Sequence, residues 1–405
     1  MAAVLGLPCW LPLATMRNAA RPKVLFVGHT AYDLPLDPQA ARKWDALSET
    51  LDPRVIGPGG RSNGSDGRFR PLRLDGPLSG PRFYAGLPLA VRREVSGFEA
   101  DAVIAQSPYE AAMIRLAWPL GRPPVPVIAE VHGDWRTASR LYGSPRRRLA
   151  SPVTDRVAVA GLRSAAGVRT VGPRMSELSR EVTGRAPDAV FPTWFDSARF
   201  FDAPPKPLPE QPVALWVGVL ERYKDPDTLA AAWRNVASRL TARLVVVGRG
   251  RMRHAIEALL REFPDCVLHL ERLDSEGISR ALDEAWTLVL PSRSEGLPRV
   301  GIEALARGRP IVGTAVDGIT DLVQDHVNGR LVPSGDALAL ADALCDVLGD
   351  RQLAAELGRS GRMTAERFRR SPEEYAAQVR ALVDSVVSEW RRDVDRITSR
   401  AGSRR

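Results

Sequence analysis

Eleven residues in the middle of the chain, Asp202–Pro212 (DAPPKPLPEQP), hold five prolines. Each proline fixes its own φ, lacks an N–H donor and pushes the residue before it out of the helical region. Such a stretch continues neither a helix nor a sheet, so it reads as a stiff linker with a domain boundary near residue 205. The 405-residue length agrees, because a single core stops growing at about 250–300 residues.

The same alternation runs on both sides of the linker. Before it, Lys23–Gly28, Ala102–Ala105, Val125–Val131 and Gly167–Val171 are short apolar runs of the kind that form buried parallel strands. Gln39–Leu51, Tyr109–Trp118, Ser151–Ala166 and Arg174–Thr183 carry helical spacing. After it, Val213–Val219, Leu244–Gly248, Val267–Leu270, Thr287–Leu290 and Pro310–Thr314 read as strands, with helices at Asp227–Leu240, Met252–Phe263 and Ser275–Ala285. Strand and helix in turn predict an α/β fold with two doubly wound, Rossmann-like parallel sheets facing a central cleft. The expected division is a poorly ordered extension (1–20), a first domain (21–204), a second domain (205–371), a long helix (372–390) and a basic tail (391–405).

Composition narrows the class. With 44% hydrophobic and 26% charged residues the chain is globular, not disordered, collagenous or coiled coil. No run of about 18 apolar residues offers a spanning helix. Cys9, Cys266 and Cys345 are odd in number and far apart. That argues against a disulfide framework or zinc site and for a reducing cytoplasm. Val4–Ala14 is apolar, but two prolines and no preceding Lys or Arg make it a poor secretion signal, and Met16 is an alternative start. Net charge is +9, and only four of 57 basic residues are lysine. A basic balance fits nucleic acid, anionic membrane or phosphate-bearing substrates. Six arginines face two aspartates in Arg391–Arg405. This is either a solvated tail or a peripheral contact with acidic lipid headgroups.

In doubly wound sheets ligands lie outside the carboxyl ends of the strands, so the residues after each strand carry the function. After Thr287–Leu290 comes PSRSEGLPRVGIEALARGRP. Glu295 falls in the turn. Pro298 suits a first helical position. Glu303 then lies in the second turn, and the amides of Leu297, Arg299 and Val300 point to the cleft. An open helix N-terminus is an anion site, and carboxylates on either side of it can hold sugar hydroxyls. That is the outline of a sugar–diphosphate–nucleoside. A solvent-facing loop charge and a helix-dipole charge explain the two glutamates equally well from spacing alone. Arg222 and Lys224 follow Val213–Val219, as diphosphate cations or as plain surface charge. His132, with Asp134 and Arg136, follows Val125–Val131, at the rim of the cleft or as a structural histidine. No G-x-G-x-x-G follows the first strand, and no P-loop, H-E-x-x-H or G-x-S-x-G occurs. The tryptophans are scattered, as core residues are, and no nucleic acid is expected.

Together these segments resemble glycosyltransferase family 4, the retaining, nucleotide-sugar-dependent family with the GT-B fold. The resemblance spans most of Lys23–Trp390 and is strongest over Val213–Pro333, in VGVLERYKDPDTLAAAW, VVVGRG, SEGLPRVGIEALARGRPIV and TAVDGITDLVQDHVNGRLVPSGD. In the first half, VHGDWR and FPTWFD carry it. It implies that Glu303 holds the ribose hydroxyls and Glu295 the donor-sugar hydroxyls. The amides of Gly296 and the residues after it would touch sugar or phosphate. Gly218 and Lys224 would line the diphosphate site, and His132 would stand beside the reacting centre. The helix 372–390 would cross back onto the first domain. Three departures are visible. Val219 stands where the family has arginine, and Arg222, three residues on, is a candidate replacement. Pro298 replaces a common glycine. The glycine-rich loop after the first strand is GHTAYDLPLD instead, which loosens the inference about the acceptor.

The implied reaction is hexosyl transfer from a UDP- or GDP-sugar to an acceptor hydroxyl of a glycan, lipid-linked glycan or small metabolite, with retention. The implied catalytic set is His132, Lys224 and Glu295. Neither cofactor nor metal is expected, since Lys224, Arg222 and the helix dipole carry the positive charge. The expected place is the cytoplasm, including the inner face of the plasma membrane. The alternatives are a nucleotide-sugar epimerase of the same fold and a non-catalytic two-domain binding protein.

Overall fold

The computed structural model describes residues 20–60, 64–72, 79–119, 121–141 and 145–402. Nearly all of the expected extension (1–20) lies outside them.

The first sheet contains β1 (Lys23–Val27), β2 (Asp52–Pro58), β3 (Phe69–Leu72), β4 (Ala102–Ala105), β5 (Val127–Val131), β6 (Gly167–Thr170) and β7 (Ala189–Val190). Its order is β3-β2-β1-β4-β5-β6-β7, and every pairing is parallel. The second sheet contains β8 (Val213–Val217), β9 (Arg243–Val247), β10 (Val267–Leu270), β11 (Thr287–Leu290), β12 (Ile311–Thr314) and β13 (Gly329–Val332). Its order is β10-β9-β8-β11-β12-β13, again all parallel. Both sheets reverse their winding once, between β1 and β4 and between β8 and β11. These reversals are the switch points at which doubly wound sheets open a crevice.

The inner strands are buried on both faces, which is why they read as unbroken apolar runs. The sequence reading misses β2, β3, β7 and β13, which lie toward the sheet edges. Pro53, Pro58 and Pro71 interrupt the pattern; β3 is an edge strand, and in β2 Pro53 pairs only with β1 and Pro58 only with β3, so each proline has one side of its ladder that needs no donor. It also misses the helix Ser79–Phe98, which carries Pro88 inside it.

The proline linker satisfies its backbone by an unusual route. The linker carbonyls still need donors, and three arginines supply them. Arg307 Nη1 donates to Ala203 O (2.9 Å), Arg309 Nη2 to Lys206 O (2.8 Å) and Arg351 Nη1 to Pro209 O (2.8 Å). Arg307 is itself held by buried Asp283 at 2.6 Å. Burial pushes Arg309 down to about 10, with Asp283 opposing and Arg307 adding to the shift.

The last helix corrects the expected boundary at Trp390. It runs from Pro372 to Gly402, so most of the expected basic tail is helical. Tyr375, Ala376, Val379, Val383 and Val386 recur at helical spacing. They pack in one cluster with Val24, Phe26, Trp44 and Leu47 of the first domain. Arg380 Nη1 also donates to Thr50 O (2.9 Å). The first half of the last helix, residues 375–387, is thus part of the first domain's core. No helix among the described residues is long and apolar enough to cross a membrane.

Candidate functional site

The turn after β11 and the turn after β8 meet at a buried ion pair. Lys224 Nζ lies 2.5 Å from Glu295 Oε1, and Ser292 Oγ donates to the same oxygen at 2.7 Å. Both charged side chains are about nine-tenths buried. The neighbouring backbone is braced in the same way. Arg293 N–H donates to Tyr223 O (2.7 Å), and the Arg293 guanidinium grips Asp225 at 2.8 and 3.2 Å. Asp225 has φ 49° and caps the helix Pro226–Ala237. Gly218 lies under this pair: a Cβ there would sit 3.4 Å from Lys224 Cε.

The helix after β11 spans Arg299–Ala306, one residue later than the sequence suggests. Pro298 is the N-cap with extended backbone (φ −69°, ψ 109°) and not the first helical residue. Proline offers no side-chain acceptor, so the N-terminus stays open. Among the described residues, the amides of Leu297, Arg299 and Val300 donate to no acceptor. Glu303 lies in the second turn, buried, with Arg299 Nε donating to it at 2.6 Å. Burial pushes its carboxyl up, and Arg299 offsets only part of that rise. The Arg299 guanidinium stands 4.8 Å from the Phe195 ring centroid. Leu297 packs against the cores of both domains, and Val300 against the second.

The two domains touch at glycine. A Cβ on Gly296 would lie 1.7 Å from His132 O and 3.3 Å from Gly133 Cα. A Cβ on Gly318 would lie 1.5 Å from Gly296 O. The turn after β5 therefore meets the turn after β11 backbone to backbone. A cavity of about 560 Å³ lies to one side of this seam, lined by Asp134, Arg174, Arg293 and Asp317 among others. His132, Thr193, Trp194 and Arg299 open on another, of about 320 Å³.

The His132 ring is held from below. Its Nε2 lies 3.0 Å from Glu130, which pairs with buried Arg169 at 2.8 Å. Burial alone would push the Glu130 carboxyl up. Arg169, His132 and Lys43 together outweigh it and bring the group down to about 2. A depressed carboxyl stabilises the fold above its unfolded value of 4.5 and loses that contribution as pH falls to about 2. Glu130→Gln is expected to flatten this part of the acid-stability curve by about 2 kcal/mol, read by urea unfolding at pH 5 and pH 2.5.

The structure therefore brings Lys224, Glu295, Gly218, Gly296, Leu297 and His132 to one seam and sets Arg299, Val300 and Glu303 on the adjoining helix. Val219 is exposed and gives that position no cation. Arg222 also faces solvent, at a separate cavity it shares with Arg140, Asp227 and Met252. Sequence reasoning missed Ser292, Asp225, Arg293, Glu130, Arg169 and Thr193. Of these, Glu130 left a signal by position: it is the residue two before His132, at strand spacing.

Two parallel-sheet domains joined by a short linker, with a buried cation–carboxylate pair and an open helix N-terminus in the cleft between them, define a GT-B fold. Solved structures agree. The chain superposes on HepE of Anabaena, solved with UDP and glucose, with a TM-score of 0.63 and 17% identity, covering 93% of this chain and 100% of that one. The family model for glycosyl transferases group 1 matches residues 211–350. The 2-deoxystreptamine N-acetyl-D-glucosaminyltransferase of Streptomyces fradiae is 30% identical over 313 residues, 64% of this chain and 73% of that one. The chain belongs to the group 1 glycosyltransferases. A D-inositol 3-phosphate glycosyltransferase of Xylanimonas cellulosilytica is 33% identical over 165 residues, and that match covers only 39% of either protein. These curated relatives are sugar transferases, and they give the epimerase alternative no support.

Proposed function

We propose that this chain is a retaining enzyme of glycosyltransferase family 4 that moves a hexosyl group from a UDP-sugar to an acceptor hydroxyl in glycan, glycolipid or cell-envelope synthesis. The observation that carries the reading is the buried Lys224–Glu295 pair beside the open N-terminus of Arg299–Ala306, facing the His132–Gly133 turn. The uridine choice draws on HepE, which was solved with UDP.

In this reading the donor diphosphate takes the free amides of Leu297, Arg299 and Val300, while Lys224 adds positive charge. Glu303 accepts from the ribose hydroxyls and Glu295 from the sugar. The bond from the anomeric carbon to the diphosphate oxygen breaks, and its electron pair leaves on the phosphate. The acceptor oxygen bonds to that carbon on the same face, and its proton passes to the departing phosphate. Charge grows on the leaving oxygen, where fixed amides and Lys224 stabilise it most. Closure at the Gly296 seam orients the partners and excludes water. No metal is assigned a part. The site works from the cytoplasm. The arginine-rich end of the last helix offers a contact with the inner membrane face, and equal sedimentation with anionic and neutral vesicles would remove that contact.

The test is thermal denaturation of wild type and Glu303→Ala with UDP, GDP and ADP, with and without magnesium. A ligand at about a hundred times its Kd stabilises by about 2.7 kcal/mol. UDP is expected to shift the wild type without metal and to leave Glu303→Ala unmoved. No shift with any nucleotide would overturn the reading. Retention is read from the anomer released when the donor is hydrolysed slowly without acceptor.

A further inference from the structure

Both hydrogen-bond partners of the His132 imidazole answer to one buried arginine. Nε2 lies 3.0 Å from Glu130 Oε2, and Nδ1 lies 3.2 Å from Thr193 Oγ1. Arg169, fully buried, donates from Nη1 to Glu130 Oε1 at 2.8 Å. From Nη2 it donates to Phe191 O at 2.8 Å and to Thr193 Oγ1 at 3.3 Å. Four side chains thus close a ring: Arg169, Glu130, His132, Thr193 and back to Arg169. Glu130 and Arg169 are register partners on β5 and β6. Thr193 comes from the segment that leads into the linker.

The ring has a direction. A guanidinium only donates, and an ionised carboxylate only accepts. Glu130 can therefore receive nothing from His132 but an N–H, so Nε2 carries the proton. A neutral imidazole carries a single N–H, and with that proton on Nε2 the contact at Nδ1 must be donated by the Thr193 hydroxyl, whose oxygen accepts from Arg169. Nδ1 is then the bare nitrogen. The ring is also open to the cleft. His132 is 38% exposed, and together with Thr193 it opens on the 320 Å³ cavity that Arg299 also lines.

We propose that Arg169 is a positioning residue that, through Glu130 and Thr193, fixes His132 as the Nε2–H tautomer and presents Nδ1 as the acceptor for a substrate hydroxyl. The last step rests on the transferase reading: a hydroxyl of the bound sugar replaces that of Thr193 at Nδ1, while Glu130 keeps hold of Nε2. The device is set only when the 191–193 segment is docked on β6, so His132 is oriented by the same chain segment that leads into the linker.

The experiment is nitrogen-15 NMR of the full chain with labelled histidine at pH 8, run beside steady-state kinetics. His132→Gln assigns the His132 signals among the five histidines of the chain. The wild type is expected to show a protonated Nε2 and a bare Nδ1. Glu130→Gln is expected to shift His132 to the Nδ1–H form or to a mixture. Its kcat should fall about tenfold or more, with the donor KM within about threefold. Glu130→Gln strands the buried Arg169 charge, and Glu130→Gln/Arg169→Met removes both charges together, a change that cores tolerate far better than a broken pair. The double variant should fold and show the same loss of tautomer and of kcat. A protonated Nδ1 in the wild type, or variants that keep both the tautomer and kcat, would overturn the proposal. The expected tautomers in a protein that neither transfers nor hydrolyses sugar from any nucleotide donor would support the positioning ring and remove the transferase reading instead.

Discussion

Lys224→Met is expected to lower kcat by about 10²–10³-fold, the usual effect of deleting one fixed donor aimed at developing negative charge. Its effect on stability has a separate origin. Glu295 is buried beside Lys224, and without the ammonium it keeps, among the described residues, only the Ser292 hydroxyl as a side-chain donor. Breaking a buried pair from one side costs about 3–5 kcal/mol. Neutralising the other side returns most of that, because two uncharged groups need no counterion. Lys224→Met/Glu295→Gln should therefore melt close to the wild type and remain as inactive as the single variant. Melting curves and initial rates on the three proteins decide the matter. A stable, active single variant would show that the pair is structural and that the diphosphate is met elsewhere.

The second large effect is expected from one methyl group. In Gly296→Ala the new Cβ would sit 1.7 Å from His132 O and 2.9 Å from its carbonyl carbon. Both are backbone atoms and cannot turn aside as a side-chain tip would. The seam must open by roughly an ångström, and a misplacement of that size can cost about 10²-fold in rate. Nucleotide affinity should change little, since the groups assigned to the nucleotide lie on the second domain. Gly133→Ala is the internal contrast. Its Cβ would come no closer than 3.7 Å to Gly296, an ordinary contact. Kinetics on the two alanine variants should differ by more than tenfold. Equal rates would mean that the reacting geometry does not need this backbone contact.

The residues behind these predictions were unequally visible in the sequence. The two glutamates were legible because both lie in one local unit, a strand, a turn and the start of a helix. Their spacing alone puts one in the turn and the other in the second helical turn. Lys224 was legible as a residue after a strand, but its partner was not. Lys224 and Glu295 are 71 positions apart and meet only because β8 and β11 are neighbours at the switch point of the sheet. Arg222, the natural substitute for the cation missing at Val219, shares the turn with Lys224. It faces solvent because the tight turn Arg222–Lys224 points successive side chains in different directions. Arg299 was expected to serve through its amide. Its side chain also holds Glu303, four residues on, as helical geometry allows.

By itself the sequence determined the architecture: apolar runs that must be buried, helical segments between them, and a proline block that neither sheet can absorb. Those are local preferences, summed over few residues, and they do not depend on what the chain meets elsewhere. Tertiary structure alone decided which charges pair, which glycines touch and which way the His132 ring is held. Each of these is a contact between segments distant in sequence, or rests on one. A buried charge or a missing Cβ acquires its meaning only from the group that folding puts against it.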